Sequence, residues 1–226
     1  MKLQGKKIDS VFYTNQNNSF FKIFFDRKNF LSKIGAGVVL SKNDISGISN
    51  SNFIFLSYSE PEDNDYERKT EEIIEDLKNY TESNLSVIIQ VSILFPPDLV
   101  VKILENKNCD GVATRTCLMW NQFPDDVKKV FFRLIESPFG KEVGGYVFGK
   151  YILPLSLEWI HQVKRAMSLN RECSNKIIIA GGGILKKSDI KKFFDAKVDA
   201  VVFDEATSLR FWNIKRMVRY ANKLFF

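Results

Sequence analysis

Short apolar runs alternate with amphipathic stretches along most of this chain, and the clearest unit is Lys176 to Phe203. Ile177, Ile178 and Ile179 form the continuous apolar run of a strand covered on both faces. Gly181, Gly182 and Gly183 follow at once, and Ser188 and Asp189 stand where they can cap a helix carrying Ile190, Phe193 and Phe194 on one face. Ala200, Val201, Val202 and Phe203 then return to the sheet. This pattern predicts a βαβ unit with a glycine turn at the strand's C-terminal end, where parallel sheets bind ligands. Glycine N–H groups facing a helix N-terminus favour a phosphate there, although the same three glycines also suit a tight turn that packs helix on strand without any ligand.

The remaining elements can be taken from the N-terminus. Lys2 to Asn15 alternates weakly through Ile8, Val11 and Tyr13 and predicts a short hairpin, a lid for the bottom of a barrel. Phe20 to Phe25 is a strand candidate, Asn29 to Ile34 a short helix, and Ala36 to Ser41 a strand ending in Lys42, which suits either an anionic ligand or a solvated loop. Asn52 to Ser57 is a third strand. After the acidic loop of Glu60, Glu62, Asp63 and Asp65, a helix over Glu67 to Tyr80 buries Ile73, Ile74 and Leu77. Ser86 to Ser92 is a strand, Pro96 and Pro97 open a helix over Asp98 to Glu105, and Gly111 to Thr114 is a short strand. Leu118 to Glu142 contains no obvious strand and predicts a long excursion with a helical core, Asp125 to Ile135. A glycine-rich stretch, Gly144 to Gly149, and a helix over Pro154 to Met167 lead into the βαβ unit, and an amphipathic helix, Trp212 to Leu224, carries Lys215, Arg216, Arg219 and Lys223 on a solvated face. Strands that alternate with helices about eight times, without repeat or linker, predict one α/β domain over residues 1–226, a small (β/α)8 TIM-type barrel.

Composition narrows the chemistry. A chain of 226 residues that is 45% hydrophobic has enough apolar surface for one sizeable core. Its apolar runs are too interrupted to span a bilayer, and no apolar region follows the basic Met1 to Lys7, so a cytoplasmic protein without membrane contact is expected. Cys109, Cys117 and Cys173 lack paired spacing, and a single histidine, His161, leaves no metal site to expect. The net charge of +6 suits an anionic small molecule or phosphate-bearing ligand; the lysines are scattered rather than blocked, which argues against nucleic acid.

Several segments resemble the dihydroorotate dehydrogenase (DHODH) and dihydropyrimidine dehydrogenase family of FMN-dependent barrels. They are Asp110 to Thr116 (DGVATRT), Gly144 to Lys164, Ile177 to Phe203 and Ala206, with weaker likeness at Gly35 to Lys42, Phe55 to Pro61 and Ile88 to Ser92. The resemblance implies a barrel with an element shortened or missing near residues 43–52, where the family has a much longer stretch. It implies FMN held by Gly181, Gly182, Gly183, Lys42, Gln90, Thr114, Gly149 and Ala206. Gln90 stands where the family has a flavin-contacting lysine, Phe55 and Arg115 where it has substrate-binding asparagines, and Tyr58, with Ser59 adjacent, where it has the proton-abstracting cysteine or serine. A neutral glutamine cannot stabilise charge on a reduced flavin, and a tyrosine needs a strongly lowered pKa to act as a base. Asp204 and Glu205 stand where the family completes the phosphate cradle with a glycine and a threonine, and two carboxylates there repel a phosphate unless they point outward.

Candidate catalytic residues are therefore Arg115, Tyr58, Ser59 and Cys117. Arg115 suits a carboxylate or phosphate, or a salt bridge to the acidic loop. Three functions remain open. They are an FMN oxidoreductase acting on an anionic small molecule other than dihydroorotate, a non-catalytic paralogue serving as a ligand-binding or scaffold subunit of a homo- or hetero-oligomer, and an RNA-directed relative of the tRNA-dihydrouridine synthases.

Overall fold

The computed structural model describes residues 2–3, 6–7, 12–15, 35–40, 53–61, 64–80, 86–115, 117–123, 125–129, 146–147, 149–202 and 213–225. Seven parallel strands close into a ring: β1 Phe12–Asn15, β2 Gly35–Leu40, β3 Phe53–Ser57, β4 Ser86–Val91, β5 Gly111–Thr114, β6 Ile177–Gly181 and β7 Ala200–Val202. Each strand pairs in parallel with its neighbour in sequence, and β7 returns to β1 through Val201 opposite Phe12. Helices follow on the outside: α1 Tyr66–Lys78 after β3, α2 Pro97–Leu104 after β4, α3 Ile152–Ser168 between β5 and β6, α4 Lys187–Asp195 after β6 and α5 Ile214–Phe225 after β7. This is the expected TIM-type α/β barrel, with seven strands in its ring among the described residues.

β2 pairs directly with β3, Val38 opposite Ile54 and Leu40 opposite Leu56. Residues 41–52, which connect them, lie outside the described residues. Fewer strands narrow a barrel, which leaves its interior to packed side chains. Ile88, Ile89, Ile178, Ile179, Ala180, Ala200 and Val201 are fully buried, which accounts for the continuous apolar runs of β4, β6 and β7.

Two predicted elements are corrected. The hairpin is confined to Lys2–Leu3 against Lys6–Lys7, and Phe12–Asn15 is instead the first barrel strand. Weak alternation over a few residues cannot tell a hairpin arm from a barrel strand; here the unpaired edges of β7 and β2 both need β1. The excursion after β5 does contain a strand, Leu118–Met119, paired antiparallel with Tyr146–Val147; two residues are too few for any periodicity. Of its expected helical core, Asp125–Val127 is helical. The candidates Phe20 to Phe25 and Asn29 to Ile34 lie outside the described residues.

Aspartates pin the bottom of the ring twice in the same way. Asp110, just before β5, accepts from the Val87 N–H at 2.9 Å and donates its own N–H to the Val87 carbonyl at 2.8 Å. Asp199, just before β7, does the same with Ile178 at 2.8 and 2.9 Å. Burial raises the Asp199 pKa against the lowering effect of the Ile178 N–H. Among the described residues no helix is long and apolar enough to cross a membrane.

Candidate functional site

All seven strands run the same way, so the residues after their C-terminal ends gather at one mouth, the end where barrels of this kind place their ligands. A cavity of about 920 Å³ opens there between the loops that follow β3, β4 and β5. Ser59, Glu60, Tyr66, Arg115, Cys117 and Gln122 are among its walls.

Arg115 is the first residue past β5. Its backbone N–H donates to the Val91 carbonyl at 2.8 Å, extending the ladder with β4 by one step and fixing where its side chain starts. Its guanidinium then crosses β4 and donates through Nη2 to Ser57 Oγ, 3.1 Å away at the end of β3. Of the two readings of Arg115, the salt bridge to the acidic loop is not formed among the described residues. The Tyr66 hydroxyl has its pKa raised by burial and by the Glu60 carboxylate. Tyr66 is itself set by an edge-to-face contact with Phe95, ring centroids 5.3 Å apart. Glu60 Oε2 is shielded from solvent and lacks a hydrogen-bond partner among the described residues.

The other candidates divide. Ser59 is exposed and Cys117 half-buried, both at the cavity wall. Tyr58 is not there. Its hydroxyl donates to Asp76 Oδ2 of α1 at 3.0 Å, with the Lys69 ammonium 5.6 Å from the ring centroid. Burial, with Asp76 and Glu72 alongside, raises its pKa further above its ordinary value, the opposite of what a base near neutral pH requires. Alternation along the strand explains the turn outward: successive side chains face opposite sides, and Tyr58 faces the helix layer. Gln90 ends half-buried in β4, opposite Ser57 and Ala113.

The residues expected to hold FMN cluster on the far side of β5, around the glycine turn. Thr114 is fully buried and its hydroxyl accepts from the Gly181 N–H at 2.7 Å, while Ser156 of α3 donates to the Gly181 carbonyl. Gly182 and Gly183 have φ of +96° and +76°. A Cβ on Gly183 would lie 2.6 Å from the Gly149 carbonyl oxygen and 2.8 Å from the Leu153 N, so the first turn of α3 packs directly on this glycine. At the start of α4, Asp189 Oδ2 accepts from the Leu185 and Lys186 N–H groups, both at 3.1 Å, so a buried carboxylate already serves these helix-terminal donors. What remains open beside Gly183 is a cavity of about 400 Å³ also walled by Lys150, Lys186 and Lys192. Lys42, Ala206, Asp204 and Glu205 lie outside the described residues.

Sequence reasoning did not single out Glu60 from its acidic neighbours, nor Tyr66, Ser156 or the three lysines. A lone serine about one turn into a helix carries no signal until the glycine turn is placed beside it. His161 is exposed on α3, and among the described residues no group of side chains is arranged to hold a metal.

No protein-family model matches the chain, and no curated protein matches it. Solved structures do. Ligand-free DHODH from Eimeria tenella superposes with a TM-score of 0.56 at 13% identity, covering 91% of this chain and 62% of that one. DHODH from the same organism in complex with ferulenol gives 0.53 at 15% identity, covering 82% and 56%. The fold is a DHODH-like barrel. The chain spans less than two thirds of either DHODH, and identities this low speak for the architecture alone. In this DHODH-like barrel the polar cavity lies at β3 to β5, whereas the glycine turn at β6 is closed by α3.

Proposed function

We propose that this DHODH-like barrel binds an anionic small molecule, a carboxylate or phosphate ester, in the cavity walled by Arg115. The observation that carries the reading is the Arg115 guanidinium, held in place by Ser57 at the cavity wall without an ion pair among the described residues. An arginine so fixed loses little freedom when it binds, and its planar fork matches a carboxylate or phosphate in two hydrogen bonds. Replacing it removes a charge-assisted contact, so Arg115→Gln should weaken binding of a small dicarboxylate or of inorganic phosphate by about tenfold to a hundredfold. Titration calorimetry reads this directly; equal affinity in wild type and variant would remove the reading.

A second reading, an FMN-dependent oxidoreductase, is favoured by the cavity beside Gly183. Its three lysines would hold a phosphate group. Such a cofactor, when bound, supplies two-electron redox chemistry, and Arg115 would still orient the anionic substrate. Against it stand Gln90, which carries no charge to offset a reduced ring, and Thr114, whose hydroxyl is engaged by Gly181. An absorption spectrum of the purified protein between about 350 and 500 nm decides between the two: bands bleached by dithionite support the oxidoreductase, and a colourless protein that takes up no added FMN leaves the anion-binding barrel.

A further inference from the structure

Two charges of opposite sign stand in the wall of the same cavity, Arg115 and Glu60. They start close together along the chain's path: Arg115 reaches across β4 to Ser57, and Glu60 lies three residues beyond Ser57. Arg115 donates to the Ser57 hydroxyl, and among the described residues the guanidinium and the Glu60 carboxylate form no ion pair. Glu60 Oε2 is shielded from solvent and has no donor among the described residues. A buried acceptor left without a donor is unfavourable, and the terminal torsion of a glutamate is broad enough to turn that oxygen toward a donor in the cavity.

We propose that the ligand is amphoteric, with a carboxylate or phosphate for Arg115 and, within a few bonds of it, an ammonium or amide N–H for Glu60, as in a small amino acid. The inference rests on the reading of the Arg115 cavity as the ligand site and adds the second group. Wall residues near the two charges, Ser59, Asn64 and Ser92, are polar and neutral, which suits the short polar stem of such a molecule. With no ion pair between the two groups among the described residues, the ligand does not have to break an internal salt bridge to enter.

The probes are propionate, propylammonium, α-alanine, β-alanine and γ-aminobutyrate, titrated calorimetrically into wild type, Glu60→Gln and Arg115→Gln, with an unchanged unfolding midpoint confirming that each variant folds. The expected result is that at least one amino acid binds about tenfold or more tightly than propionate. Glu60→Gln should lose that preference while still binding propionate, and Arg115→Gln should lose both. Equal binding of propionate and all three amino acids, or a preference that survives Glu60→Gln, overturns the amphoteric ligand and leaves the anion site standing. No binding of any probe to wild type, with no effect of Arg115→Gln, overturns both.

Discussion

The glycine turn shows how much a single residue's surroundings decide. Gly183 and Gly149 share a left-handed backbone, φ of +76° and +83°, yet a Cβ on Gly149 meets nothing within 4 Å while one on Gly183 meets the Gly149 carbonyl and the Leu153 backbone. Gly149→Ala should therefore cost only the left-handed strain, about 1–2 kcal/mol, and Gly183→Ala distinctly more, because backbone of α3 must move. Urea unfolding of the two variants checks the order; equal losses would mean that α3 does not press on the turn. Thr114 gives a companion test. Thr114→Val strands the buried Gly181 N–H and should cost about 1–3 kcal/mol, with Thr114→Ser recovering most of it. The three thiols differ as sharply. Burial pushes the Cys109 thiol up to about 12 and raises that of Cys173, whereas Cys117 stands half-buried at the cavity wall. A disulfide reagent near neutral pH should titrate one thiol in the folded protein and three after unfolding, with Cys117→Ser removing the native reaction; fast reaction of all three would contradict the burial.

Among the elements, those with long one-sided apolar faces are legible in the sequence. Helices α1, α2 and α4 and strands β4, β5 and β6 fall where periodicity puts them to within one or two residues, because Ile73 and Leu77, Leu99 and Ile103, Ile190 and Phe193 each have to bury one face. Short elements are not: β1 has four residues and the Leu118–Met119 strand two, and their existence depends on partners far along the chain. The site is legible to a similar degree. Arg115 and Cys117 follow a strand end that the pattern marks, but nothing local tells that Tyr58 faces α1 or that Thr114 is engaged by Gly181. The junctions between elements carry their own pH dependence. The raised Asp199 pKa means the folded state holds its proton more tightly than the unfolded chain does. Its contribution to stability is then fully present below the ordinary carboxylate value of about 4 and falls as pH rises through the folded value. Stability of wild type relative to Asp199→Asn should accordingly be greatest at the acid end of a urea series and decline above about pH 4. A difference that grows with pH would mean that the ionised form is the one the fold favours.

On the scale of the whole molecule, the seven-stranded ring separates two tasks. On the β6 side, glycines, Thr114, Ser156 and Asp189 close the backbone of the barrel mouth by internal hydrogen bonds and tight packing. On the β3 to β5 side, Ser57 and the β4–β5 ladder hold Arg115 at an open cavity whose wall includes Glu60. The ring of described strands closes by direct pairing of β2 with β3, which leaves both sides in place. The sequence resemblance to flavin barrels pointed first to the glycine turn, and the geometry directs attention across the mouth. The most direct test of that assignment is a crystal structure of the protein soaked with malonate. The account predicts a malonate carboxylate within about 3 Å of the Arg115 guanidinium, inside the β3 to β5 cavity. Malonate bound instead among Lys150, Lys186 and Lys192 beside Gly183, with the Arg115 cavity empty, would contradict it.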